Sequence, residues 1–511
     1  MLVRSSSVLV AVLSCLALMA WARAGTLPPD LAVTDPMALR ELDLGAASAP
    51  RTFGLGAMLG DGSSVPISSD ALFRLPAMGP VRLALDAEFA RYVARHMAEL
   101  PLETIGVGPP HDFQLFDAAQ LDSGRTRFVL SGTVNRMDRA YLAPESCGEI
   151  RLLYRLTRSD GIAPSRLPMT LNMVLRAKSP TDITITCAEI ARRWLAMADF
   201  RPTGAELASR LLASDGLLAS VRPDAIDRIE TNLQIAHAPK SAIRDFRTDY
   251  LQKVFRYDAS AKRFVEAPLE NQIDRDRLLV DATLAGEFRA WLLEPEQLIA
   301  FDRGTALIPE KFLATSSVAA TPAGLAPSRL QPAFGLLQSD GADGRAVFAD
   351  DEVVTALKNA ADRGVILQNI RSPAGFARRL NDISCGGCHQ IRGIGGFHFP
   401  GVDWLAEKPS NATIVPASPH FVGDQPRRQD ILAALRGGKP ADFSRGFSDR
   451  PQARGSDVLA GSEYLDGWGA TCALPVAQAD ASFTSWSCAE RLSCQPVGSG
   501  RSSRIGMCFV K

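Results

Sequence analysis

Residues 384–390 read Ser-Cys-Gly-Gly-Cys-His-Gln, so Cys385, Cys388 and His389 form the pattern C-x-x-C-H. That pattern attaches a c-type haem covalently. Two cysteines three apart can reach the two vinyl groups on one porphyrin edge, while the adjacent histidine swings beneath the plane to ligate iron. The expectation is one covalent haem c with His389 as the proximal ligand. C-G-G-C also serves as a thioredoxin-like dithiol, and C-x-x-C can hold half of a zinc site. Both are weaker readings here. A thioredoxin dithiol follows a buried strand and opens a helix, whereas a helical pattern precedes these cysteines and the glycine-rich IRGIGG follows them. A zinc site would need further ligands; His398 or His420 could serve, but a second C-x-x-C is missing.

The sixth iron position decides whether a haem passes electrons or binds small ligands. After His389 only His398 and His420 remain, and the sole downstream methionine is Met507, beside Cys508. His398 or His420 is therefore the candidate distal ligand. His398 stands between Phe397 and Phe399 in GGFHFPG; His420 stands in PASPHF. Either could equally be a packed side chain. Asp424, Arg427 and Arg428 could pair with haem propionates through charge-assisted bonds, although capping of the helix that contains DILAAL is the plainer role.

These residues need elements to hold them. Ser372 and Pro373 supply a helix start, and Phe376, Leu380 and Ile383 make an apolar stripe leading into the motif. Farther upstream, Val81, Leu85, Phe89, Val93 and Met97 recur at intervals of four, predicting an amphipathic helix in which His96 is a packing or surface residue. RFVLSGTV at 127–134, the alternation of Ile150, Leu152, Tyr154 and Leu156, and that of Met169, Leu171, Met173 and Leu175 predict three strands of one sheet. The stretches 250–258 and 262–267 predict a hairpin. VNRMDRA at 134–140 reads as a solvated turn with local ion pairs, or as an anion site.

The chain has 511 residues, 46% of them hydrophobic and 22% charged, which excludes a mainly disordered or collagen-like protein and suggests several domains. Lysine plus arginine (56) balances aspartate plus glutamate (56), so no overall field favours nucleic acid or an anionic surface. Arg4, the apolar run from Val8 to Trp21 and Ala22-Arg23-Ala24 read as a cleaved secretory leader, 1–24, too short for a membrane anchor. Export makes disulfides permissible. Of nine cysteines, Cys15 lies in the leader and two lie in the motif. Cys147 and Cys187 then suggest one bridge pinning helix to sheet, and Cys472, Cys488, Cys494 and Cys508 suggest two more with connectivity open among three pairings.

CGGCHQIRGIGGFHF resembles the haem-motif region of bacterial dihaem cytochrome c peroxidases, although this chain has a single C-x-x-C-H. VNRMDRA followed by CGEIRLLYRLTR resembles an uncharacterised group of secreted bacterial proteins with a C-terminal haem motif. The helix before the cysteines is similar to the first helix of cytochrome c domains, which implies an all-α haem domain. The expected architecture is multidomain: an α+β N-terminal domain (25–215), a second α/β region and linker (216–330), an all-α cytochrome c-like haem domain (331–455) and a disulfide-rich C-terminal module (456–511). The expected function is that of an exported, periplasmic or secreted, monohaem cytochrome that transfers electrons to an unidentified redox partner. A haem-dependent peroxidase or oxygenase is the alternative, and a haem-based redox sensor a third.

Overall fold

A computed structural model describes residues 31–45, 51–60, 66–158, 165–182, 184–238, 247–321, 346–368, 370–384, 401–402, 414–415, 421, 424–445, 471–475, 487–496 and 505–510. The leader, Cys385, Cys388, His389, His398 and His420 lie outside these residues.

The three expected strands form as β4 (Thr126–Arg136), β5 (Glu149–Arg158) and β6 (Ser165–Arg176), antiparallel neighbours in that order. Beyond them β7 (Ile226–Ala238) pairs with β6, and β8 (Arg247–Asp258) pairs with β7. The hairpin is there too: β9 (Arg263–Ala267) folds back on one half of β8, while β10 (Ser317–Thr321) pairs with the other half. β1 (Ala32–Val33) lines the β4 edge, and the parallel pair β2 (Ile105–Val107) and β3 (Phe113–Leu115) joins the end of β7, completing a ten-stranded sheet. That sheet takes strands from both sides of residue 216.

Successive strand residues point to opposite faces. One face is apolar: Leu130, Leu152, Tyr154, Leu171, Met173, Ile229 and Phe255 are buried beneath α1 (Pro36–Leu44) and α2 (Gly79–Glu99). α2 is the helix expected at 81–100, but a four-residue interval outruns the 3.6-residue turn. Its buried stripe therefore drifts from Val81, Leu85 and Phe89 to Tyr92 and His96, leaving Met97 exposed. His96 is fully buried and stacks on Phe113, 5.2 Å between ring centres, which is a packing role.

The expected helix before the motif also forms, as α7 (Pro373–Ile383), but its surroundings overturn the all-α haem domain. Between them in sequence, α3 (Cys187–Leu195), α4 (Ala282–Leu292), α5 (Pro295–Arg303) and α6 (Asp350–Asp362) are also helical. Phe376 and Leu380 of α7 are buried in a second core with Phe288, Leu292, Phe301, Phe312, Phe348 and Ile370. Phe376 contacts Phe348 and Phe301 at 5.6 and 6.4 Å between ring centres. The helix that follows the motif, α8 (Gln425–Arg436), belongs elsewhere: its Leu432 enters the sheet's apolar core, and it packs against α3. Two short strands, β11 (Gly401–Val402) and β12 (Ile414–Val415), lie between them. Residues 331–455 thus combine helices and strands that serve two different cores. An all-α cytochrome c-like domain is not what forms.

Cys147 bridges Cys187 at the first turn of α3, pinning that helix beside the start of β5. The C-terminal module is a three-stranded sheet, β13 (Thr471–Ala473), β15 (Ile505–Val510) and β14 (Leu492–Pro496), closed by Cys472–Cys494 and Cys488–Cys508. Among the described residues no helix is long and apolar enough to cross a membrane.

Candidate functional site

The second face of the sheet is charged. Register sets out four rows across it: Arg136, Glu149 and Arg176; Arg151, Val174, Arg228 and Arg256; Leu153, Asn172, Glu230 and Val254; Arg155, Thr170, Asn232 and Gln252. An antiparallel sheet ordinarily turns such a face to water. Here the face is covered, and Arg136, Glu149 and Arg151 are each under 9% exposed.

Desolvating charges costs several kcal/mol per ion unless opposite charges compensate. Two ionic knots do so. In the first, Glu149 accepts from Arg151 and Arg228 at 2.8 Å each and from Arg139 at 3.1 Å. Glu230 accepts from Arg151 at 2.9 Å and from the Asn172 amide at 2.8 Å, and Arg139 also meets Glu270. Burial raises a carboxyl's pKa, but the guanidiniums of Arg139, Arg228 and Arg151 outweigh it and hold Glu149 well below the ordinary range.

In the second knot, Asp138 is fully buried and accepts from Arg136 (2.8 Å), Arg445 (2.9 Å) and Arg427 (3.1 Å). Asp424 accepts from Arg427 (2.7 Å) and Arg428 (2.9 Å). Burial again raises Asp138, and Arg136, Arg428, Arg427 and Arg445 together pull it well below the carboxylate range. Arg427, with bonds to both aspartates, is raised; Arg428, for which burial dominates, falls to about 9 and stays cationic at neutral pH. VNRMDRA is therefore no solvated turn. Nor is Asp424 a cap, since its side chain makes no capping bond at the start of α8. The knot fastens α8 to the end of β4.

The second core and the sheet's charged face flank a half-open cavity of about 740 Å³. Nine arginines and six carboxylates line it, with Leu269, Leu307, Ile308, Leu313 and Ile383 on the flank nearer the second core. Arg379 of α7 donates to the carbonyl oxygens of Asp302 and, at 2.7 Å, of Arg445. That ties α7 to the same segment whose Arg445 side chain reaches Asp138. Ile383 and Ser384 line the cavity, and the next residue in the chain is Cys385. Of the two helices that bracket the motif, α7 ends at this cavity, and α8 is held by the Asp138 knot, whose Arg136 and Arg445 line it.

On the cavity wall, Asn172 Oδ1, Asn232 Oδ1 and Gln252 Oε1 are buried with no hydrogen-bond partner among the described residues. The Asn172 amide nitrogen is fixed on Glu230, so its oxygen cannot be exchanged for a donor by flipping the group. Each unsatisfied buried acceptor costs about 1–3 kcal/mol.

The structure brings together Asp424, Arg427 and Arg428 with Arg136 and Asp138 of VNRMDRA, whose Arg139 belongs to the first knot, and pairs all six scaffold cysteines. Sequence reasoning missed Glu149, Arg151, Arg228, Glu230 and the amides. Only a partial signal was in the chain: Arg228, Glu230, Asn232 and Gln234 alternate along β7, and Glu149, Arg151 and Arg155 share one face of β5, a pattern that a solvent-facing strand would also show. No protein-family model, no curated protein and no solved structure matches this chain.

Proposed function

We propose that the protein is an exported monohaem c-type cytochrome, with haem c held on Cys385 and Cys388, His389 as the proximal ligand, and electron transfer as its role. The observation that carries this reading is the cysteine pairing. Every cysteine of the chain other than Cys15, Cys385 and Cys388 is bridged to another, so the motif pair has no scaffold partner. Three disulfides also support an oxidising, extracytoplasmic compartment.

The residues around the motif suit such a group. A haem is an apolar ring with two carboxylates, and the cavity beside Ser384 joins an apolar flank (Leu307, Ile308, Leu313, Ile383) to a wall of guanidiniums. Bound there, haem would supply a one-electron iron couple whose potential depends on its axial ligand, burial and hydrogen bonding. The chain's own contribution would be to orient it: α7 runs into Ser384 on the cavity wall, the residue that precedes Cys385 in the sequence, and the Asp138 knot holds α8 after the motif. A second reading, a haem-dependent oxidoreductase of peroxidase type, is favoured by the cavity itself, whose volume falls in the range of small-molecule sites.

The full chain, produced with and without cytochrome-maturation machinery, tests the proposal. The mature protein should keep its colour through acid–acetone extraction and give a pyridine haemochrome spectrum, and Cys385→Ser with Cys388→Ser should abolish both. A colourless protein with two titratable thiols, or with those cysteines bridged to each other, refutes it. Low-spin iron in both oxidation states supports electron transfer; high-spin iron that reacts with peroxide supports the enzyme reading. If His398→Ala and His420→Ala both leave low-spin iron unchanged, neither is the distal ligand.

A further inference from the structure

We propose that the C-terminal module is a thiol–disulfide exchange site that oxidises an external dithiol and, in doing so, moves its remaining bridge onto Cys494 and Cys508. The inference does not rest on the haem reading.

Register gathers the sulfurs on one face of the small sheet. Cys494 of β14 stands directly opposite Cys508 of the central strand β15, and Cys472 of β13 stands opposite Gly506, two residues before Cys508 and so on the same face. The bridges do not use the opposed pair. Cys472–Cys494 instead joins the two outer strands across Gly506, where an added Cβ would stand 3.0 Å from Cys494 Sγ, and Cys508 pairs with Cys488 in the stretch before β14. Cys488 Sγ nevertheless lies within 4.8 Å of both sulfurs of the other bridge. Opposed residues of an antiparallel pair have Cα atoms about 4.5 or 5.5 Å apart, and both values fall in the range that a disulfide spans. A Cys494–Cys508 bond is thus within reach while the β14–β15 hairpin stays as it is, paired over five residues.

Burial sets the order of attack. Each bridge joins a buried cysteine, Cys508 or Cys472, to a half-buried one, Cys488 or Cys494. Cys488 lies in the stretch leading to β14, whereas Cys494 lies within a paired strand, so an external thiolate meets Cys488 first. It forms a mixed disulfide there and expels Cys508 as a thiolate. Cys508 then attacks Cys494 Sγ across the strands; the new bond forms as the Cys472–Cys494 bond breaks, and Cys472 leaves as a thiolate that takes a proton. The second thiol of the external molecule attacks its own sulfur in the mixed disulfide and expels Cys488. The external dithiol has lost two electrons and two protons and departs as a disulfide, while Cys472 and Cys488 have gained them as thiols. A dithiol is the substrate class because the last step is then internal to the substrate, with no second molecule needed at a half-buried sulfur.

The test uses the full chain carrying Cys385→Ser and Cys388→Ser, so that the motif thiols take no part. Trypsin, cutting after Arg454, Arg491, Arg501 and Arg504, separates Cys494 (492–501) from Cys508 (505–511) and leaves Cys472 and Cys488 together (455–491). Dithiothreitol is raised stepwise from one equivalent, free thiols are capped with N-ethylmaleimide, and the linked peptides are identified by mass spectrometry. The expected first product has 492–501 joined to 505–511 and two capped thiols in 455–491. Cys488→Ser and Cys472→Ser each leave one odd sulfur beside the remaining native bridge. Both should converge on the same 492–501/505–511 pair without reductant, and either serves if the other fails to fold. A first product that keeps a native bridge of the module, loses both of its bridges together or opens Cys147–Cys187 ahead of them overturns the proposal. So do variants in which the remaining native bridge stays in place.

Discussion

Asp138→Asn removes the negative charge at the centre of the second ionic knot while keeping the side chain's size. Three guanidiniums donate to Asp138, which is fully buried. After the substitution Arg136 and Arg445 lose their charged partner there, and Arg427 keeps Asp424 alone. Stripping one partner from a buried pair costs about 3–5 kcal/mol. At roughly 2–3 °C per kcal/mol for a unit of this size, the melting temperature should fall by roughly 6–15 °C. Arg95→Gln, which breaks a half-exposed i,i+4 pair with Glu99, should change stability by no more than about 0.5 kcal/mol and serves as the control. Circular dichroism melts and urea titrations of the full chain measure both. The pH dependence has a definite sign. Asp138's folded pKa is depressed, so its stabilisation is complete above the unfolded carboxylate value and is lost as pH falls below about 4. The wild type should therefore weaken over that acid window and Asp138→Asn should be flatter across it. A loss under about 1 kcal/mol at neutral pH, or identical acid profiles, would show that the arginines are solvated in solution and the knot carries no strain when broken.

Asp43 behaves oppositely: burial raises its pKa to about 7, with Arg127 and the Leu130 N–H only partly offsetting it. Stability should decline as pH rises from about 4 through 7, and Asp43→Asn should remove that decline, gaining up to about 3–4 kcal/mol at pH 8 in chemical denaturation. Removing the Cys147–Cys187 bridge with paired serines opens a loop 40 residues long and should cost about 3–4 kcal/mol, read as a lower urea midpoint. Gly148 has a φ of +82°, and an added Cβ would stand 2.7 Å from the Met137 Cα. Gly148→Ala should therefore cost about 1–3 kcal/mol in the same urea titration and weaken the Glu149 knot beside it.

Much of the local structure could be read from the chain. Apolar alternation marked β4, β5 and β6, the stripe Phe376, Leu380 and Ile383 marked α7, and the six cysteines outside leader and motif are the six that pair. Periodicity says that a face is buried, not against what. The α7 stripe, whose resemblance implied an all-α haem domain, meets Phe301 and Phe348, which stand 25 or more residues earlier in the chain. β7 escaped notice because IDRIETNLQ mixes charge into every other position, as a solvent-facing strand would. What covers that charge comes from Glu270, Arg379 and the stretch 424–445, distant in sequence, so no local pattern could announce that Arg151 and Glu149 are buried.

The two-residue phase of the large sheet also limits how the protein can vary. An exchange of one charged residue for another on β5 or β7 disturbs one position of the ionic lattice. A single-residue insertion in either strand would instead carry every following arginine and glutamate onto the side occupied by Leu85 and Phe89, and every leucine and isoleucine into the cavity. Length changes should therefore be tolerated at the connections, such as 159–164 between β5 and β6, and rejected within the strands.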